Sequence, residues 1–192
     1  MPDRLSALAA LGVFALAAPA IHAANIPRKA PDFAINLTSG QQVTLAQQQG
    51  KVVALAFILT SCPDCQRTVR VLIQNQNEFG PRGFQVLASA IEEKARTDVP
   101  GFVRQFNPPF PVGYNQLRQA LDFMQHPPMV GPIMPLLAFI DREGVIRAQY
   151  EGQEPFLAAD QVEKNLRAKI LELLNGDAPK KPLQKTKTKK AS

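Results

Sequence analysis

The stretch Cys62-Pro63-Asp64-Cys65 holds both cysteines of the 192-residue chain. Two sulfurs three residues apart can bond to one another when they share a helical turn. The flanking sequence places them at such a turn, because an eight-residue apolar run, residues 52–59, ends just before them and a helical pattern follows. A helix N-terminus presents unpaired N–H groups and a partial positive charge. A Cys62 thiolate resting on those groups is expected to ionise below the ~8.5 of a free cysteine. Pro63 is preset for the first helical turn and limits how far the sulfurs can separate. The pattern therefore predicts Cys62 as nucleophile in thiol–disulfide exchange and Cys65, deeper in the helix, as the slower resolving thiol. Asp64, between them, partly opposes the effect of the helix dipole on the thiolate, which argues against an extreme oxidant.

Other chemistries use the same two residues. A C-x-x-C is half of a zinc site, but a second cysteine pair is absent and the chain has 2 histidines, His22 and His126. A structural disulfide is the second alternative. A thiol peroxidase would want Thr or Ser three residues before the reactive cysteine and an Arg nearby, and Leu59 holds the first position. A copper chaperone could draw on Cys62, Cys65 and His126, with Met124, Met129 and Met134 close in sequence. Such proteins usually space the cysteines by three residues, and His126 before Pro127-Pro128 also reads as an ordinary loop residue.

The elements that must position the pair follow from the apolar patterning. Residues 33–38 and 42–45, with Ser39-Gly40 between them, predict a short hairpin. The unbroken run Val52 to Leu59 predicts a strand buried on both faces. A helix to about Phe79 carries Val69, Leu72, Ile73 and Phe79, and Gly80-Pro81 ends it. Phe84 to Ile91 is a second buried strand, so 52–91 has the length of a parallel strand–helix–strand crossover. Short helices are expected near 99–106 and 116–124. Residues 135–140 and 145–150 form strands around the turn Asp141-Arg142-Glu143-Gly144. A last helix, 161–174, has the stripe Val162, Leu166, Ile170, Leu173 and Leu174, with Asp160 and Glu163 as its capping pair.

The ends differ from this middle. Residues 5–18 are apolar, Pro19 breaks the run, and Ala23-Ala24 offers a cleavage site, so residues 1–24 read as a secretory signal peptide. An uncleaved anchor and a cytosolic tail are the alternatives. Export implies a periplasmic or secreted protein in an oxidising compartment. Residues 176–192 carry six lysines and one acid and too little apolar surface to fold. This tail reads as solubilising charge or as weak attachment to an anionic surface. It accounts for most of the net charge of +6 and leaves residues 25–175, the expected domain, nearly neutral. Nucleic-acid binding thus has no support within the domain.

Three stretches resemble the exported thiol–disulfide oxidoreductases of the redoxin and alkyl-hydroperoxide-reductase-like branch of the thioredoxin superfamily. They are Ala30-Pro31-Asp32-Phe33, the run from Gly50 to Cys62, and Pro135 to Gly144. The resemblance implies an α/β thioredoxin fold: a central mixed sheet flanked by helices, with an N-terminal hairpin extension and an insertion before the late strands. It also implies that Pro135 follows a cis bond and faces the cysteines, with Met134 lining the substrate groove through its backbone. The ordinary reading is a trans proline opening an edge strand. Substrates would be thiols and disulfides of other exported proteins, reached by a monomer with a redox partner protein and no bound cofactor or metal. The sequence departs from the family in two places. Ser61 stands where relatives usually have Trp, and Ala56 stands where thioredoxin has a buried Asp. Proton transfer at Cys65 then falls to another group, and Glu92 or Glu93, after the next strand, is the candidate; either also reads as a plain loop acid. The Phe- and Pro-rich segment 99–133 is expected to pack on the core or to form a partner groove beside the cysteines.

Overall fold

The computed structural model describes residues 24–176. The signal-peptide and lysine-tail expectations lie outside them. Among the described residues the strands are β1 (Arg28–Lys29), β2 (Ala34–Asn36), β3 (Gln42–Thr44), β4 (Val52–Ile58), β5 (Phe84–Ala90), β6 (Val112–Tyr114), β7 (Leu136–Ile140) and β8 (Val145–Glu151). The helices are α1 (Pro63–Phe79), α2 (Ala95–Phe106), α3 (Leu117–Met124) and α4 (Val162–Gly176). One mixed sheet runs in the order β1-β8-β7-β4-β5-β6-β2-β3.

The apolar run of β4 makes it the centre of that sheet. It pairs parallel with β5 and antiparallel with β7, and every residue in it is buried. Because side chains alternate across a strand, its two sets serve two cores. Val52, Ala54, Ala56 and Ile58 face a core that includes Val69 and Leu72 of α1 and Leu166 and Ile170 of α4. Val53, Leu55 and Phe57 face another that includes Ala120 and Phe123 of α3. Phe57 meets Phe33 and Phe123 edge-on at ring-centre separations of 5.4 and 5.9 Å. The whole stripe expected on α4 is buried. This is the thioredoxin-like layering of helices on both faces of a mixed sheet.

The segment 95–114 is more regular than the sequence suggests. α2 begins at Ala95, four residues earlier than expected, and runs through Pro100. Proline removes one helical N–H donor, yet Ala95, Val99 and Phe102 are buried against the sheet and hold the turn. β6 then lies parallel to β5 and carries the β2–β3 hairpin on its other edge. Gly113 makes that junction possible, since a Cβ there would stand 2.3 Å from the Asn36 carbonyl oxygen. Strands as short as β1 and β6 show no alternation to read in advance. The expected Asp160 cap also takes another form. α4 starts at Val162, and the Asp160 carboxylate accepts from the Gln161 side chain, which holds it below the usual carboxylate range.

Candidate active site

β4 delivers the chain to one end of the sheet, and Leu59, Thr60 and Ser61 link it to α1. Cys62 is the N-cap of that helix, with extended backbone (φ −75°, ψ 122°), and Pro63 fills the first turn. The Cys65 N–H donates to Cys62 Sγ at 3.3 Å. The first sulfur therefore accepts from an amide of the helix start, a place that favours negative charge. Both side chains stand as free thiols, Cys62 partly exposed and Cys65 fully buried.

The Leu59 N–H points at Cys65 Sγ, 3.5 Å away. Burial nonetheless pushes the Cys65 thiol well above its ordinary value, with the neighbouring Cys62 sulfur adding to the rise and the Leu59 amide partly opposing it. The pair is thus asymmetric: one sulfur meets solvent at a helix start, and the other is held protonated in the core. Asp64, between them, pairs with Arg67 one turn on at 2.5 Å. The pair is exposed, so it shields the acid's charge only weakly.

Of the two acids after β5, Glu92 touches the cysteine loop. The Thr60 N–H donates to Glu92 Oε1 at 2.8 Å and the Thr60 hydroxyl donates to the same oxygen. Glu92 Oε2 is buried without a partner. Glu93 is exposed on the rim. Gln66, from α1, closes the loop by donating to the Thr60 carbonyl at 2.9 Å. Ala56 is buried in β4 and carries no acid.

Beside these residues lies a groove of about 800 Å³, lined by Leu59, Glu92, Arg96, Tyr114, Leu117 and Met134 among others. The Met134–Pro135 bond is cis. Phe57 pairs with Leu136, so the antiparallel register carries Met134 opposite Leu59, at the cysteine end of β4. Met134 and Cys62 pack against the same core. The tertiary structure thus brings Cys62, Cys65, Glu92 and Met134-Pro135 to one end of the sheet. His126 is engaged elsewhere: its ring faces the Pro127 carbonyl and the Glu151 carboxylate. Among the described residues no group of three or more His, Cys, Asp or Glu side chains is placed to hold a metal ion. Thr60, Gln66 and Tyr114 were not anticipated, as their types carry no spacing signal and only contact with Glu92, the loop or the groove gives them a place.

Residues 26–149 match the AhpC/TSA family. Thiol-disulfide oxidoreductase ResA of Bacillus thuringiensis (strain Al Hakam) is 27% identical over 132 residues, 68% of this chain and 72% of that protein. The same-named protein of Bacillus subtilis (strain 168) is 27% identical over 117 residues, 61% of this chain and 62% of its own. Among solved structures, a candidate thiol:disulfide interchange protein DsbE from Chlorobium tepidum superposes with a TM-score of 0.62 at 28% identity, covering 75% of this chain and 96% of its own. A thioredoxin family protein from Chlorobium tepidum TLS, at 20% identity and a TM-score of 0.63, covers 79% of this chain and 99% of its own and supports the fold. With more than half of its length matched, and with two cysteines at the start of a helix on a mixed sheet, the chain belongs to the AhpC/TSA family and is a thioredoxin-like thiol–disulfide oxidoreductase.

Proposed function

We propose that Cys62 is the nucleophile and Cys65 the resolving thiol in disulfide exchange with cysteines of other exported proteins. The observation that carries this reading is the asymmetry of the pair: Cys62 is accessible at the helix start, and Cys65 is buried with its thiol pushed up. In the reducing direction the Cys62 thiolate attacks one sulfur of a substrate disulfide. A mixed disulfide forms, and the other substrate sulfur leaves as a thiolate that takes up a proton. Cys65 then loses its proton and attacks Cys62 Sγ. The second substrate sulfur leaves, the Cys62–Cys65 disulfide forms, and two electrons have passed to the substrate. A partner dithiol protein restores the pair by the reverse exchange.

Cys65 needs a base, because burial keeps it protonated. Glu92 is assigned to that proton: it holds Thr60 in the cysteine loop, and its second oxygen is unpartnered. The rim acid Glu93 makes no such contact with the loop in support of a role. The substrate would lie along Met134-Pro135 beside the groove. The redox-active pair itself is the electron carrier, so no cofactor or metal enters the scheme. The leader-like residues 1–24 support a periplasmic or secreted location, which N-terminal sequencing of the mature protein would test by finding Ala24 or Asn25 first. Neither rival reading gains an observation: Leu59 still precedes Cys62 by three, and the His126 ring is turned to Pro127 and Glu151.

The test is insulin disulfide reduction with dithiothreitol as donor, together with the Cys62/Cys65 reduction potential in a glutathione buffer. Wild-type acceleration lost in Cys62→Ser, with the mixed disulfide accumulating in Cys65→Ser, is the expected result. Equal rates for wild type and Cys62→Ser would refute the assignment.

A further inference from the structure

The peptide assigned to the substrate is gripped from behind by the end of β8. The Gly152 N–H donates to the Ile133 carbonyl at 2.7 Å, and the Ile133 N–H donates to Glu151 Oε1. Both backbone polar atoms of the residue before Met134 are therefore held by two consecutive residues. Gly152 runs so close that a Cβ there would stand 2.2 Å from the Met134 carbonyl oxygen.

Glu151 has a second partner. Its Oε1 lies 3.4 Å from His126 Nε2, while His126 Nδ1 lies 3.1 Å from the Pro127 carbonyl oxygen. Both neighbours are acceptors. A neutral imidazole has one N–H and can donate to either of them. The ring is 6% exposed. Tyr150 and Glu151 of β8 and Glu154 beyond it share a cavity of about 330 Å³ with His126. The Glu154 carboxylate accepts from the Glu151 N–H. From β1, Arg28 reaches the Phe123 carbonyl and the Gln149 side chain. On α3, Asp122 pairs with Arg118.

We propose that Glu151 is a positioning residue for disulfide exchange: with the His126 ring beside its carboxylate, it fixes the Ile133 amide and so the Met134-Pro135 peptide along which a substrate aligns with Cys62. This rests on the reading of Met134-Pro135 as the substrate groove. A hydrogen bond to a charged group is worth enough that its loss should cost about tenfold in substrate binding.

The experiment is single-turnover oxidation of the reduced protein by a disulfide-linked peptide carrying a fluorophore and quencher. The dithiol supplies both electrons, so no further donor is needed. Glu151→Ala should raise the half-saturating peptide concentration about tenfold, change the limiting rate little, and leave Cys62 alkylation by iodoacetamide as in wild type. Its Ile133 amide should exchange with solvent about tenfold faster. Glu151→Gln keeps an acceptor for that amide and should restore most of the binding. The proposal is overturned if Glu151→Ala leaves both peptide binding and Ile133 exchange unchanged, or if Glu151→Gln loses as much binding as Glu151→Ala. Should Glu151→Ala not fold, Glu151→Leu, which keeps the bulk and removes the acceptor, decides by the same two readouts. Absence of Cys62-dependent transfer in wild type would instead refute the groove reading, and Ile133 exchange would still judge the clamp.

Discussion

Alkaline titration of the fully reduced protein probes the site where its physics is least ordinary, the buried thiol of Cys65. An unfolded chain releases that proton near the ordinary cysteine value, whereas burial holds it well above that in the folded protein. The sign follows from linkage: a group whose pKa is higher in the folded state favours folding below the unfolded value, and the advantage is lost as pH rises through the folded one. From pH 9 upward the reduced protein should lose about 1.4 kcal/mol per pH unit, since one pKa unit is worth that much. At pH 10.5 the loss amounts to roughly 2 kcal/mol, or about 4–8 °C in melting temperature for a chain of this size. The assay is urea unfolding from pH 7 to 10.5 in excess phosphine reductant, on wild type, Cys62→Ala and Cys65→Ala. Lysine and tyrosine ionisation is common to all three and cancels in the comparison. Cys62→Ala should keep the slope, because desolvation, not the neighbouring sulfur, is the largest cause of the rise. Cys65→Ala should lose it. Equal slopes in wild type and Cys65→Ala would refute the asymmetric pair, and with it the need for a base at Cys65.

Glu92→Gln should slow resolution of the mixed disulfide by about 10²-fold, the lower range for a general base, while Cys62 alkylation stays as in wild type; trapping the mixed disulfide by acid quench measures it. Replacing Asp64 by His removes an acid that opposes the helix dipole and leaves Arg67 without its partner. The reduction potential should become more oxidising by on the order of 30 mV, the equivalent of tenfold in the exchange equilibrium, and an unchanged potential in glutathione buffer would count against the dipole argument. Gly113→Ala should destabilise by about 1–3 kcal/mol, because its Cβ would meet the Asn36 carbonyl at 2.3 Å and push β2 from β6. Urea unfolding tests this, and unchanged stability would mean that the junction yields freely.

What the sequence alone determined was local. The unbroken apolar run before Cys62 suits a strand buried on both faces, and β4 is that strand. The C-x-x-C after it falls on a helix start because Pro63 and the apolar spacing of Val69, Leu72 and Phe79 lie within one turn or a few of the cysteines. Those signals are carried by residues a few positions apart, so one chain displays them. Other features required distant partners. β6 is a strand because β5 and β2 flank it, and its three residues show no period of their own. Glu92 separates from Glu93 only through its contact with Thr60, 32 residues away. The grip of Glu151 on Ile133 spans 18 residues and involves His126, which in sequence looked like a loop residue or a metal ligand. A hydrogen bond between distant residues leaves no periodic trace in the chain, because either partner could be satisfied by water until folding removes the water. The strand, the helix start and the closeness of the two sulfurs were therefore legible in advance, and the groups proposed to aim a substrate at them were brought together by the tertiary fold.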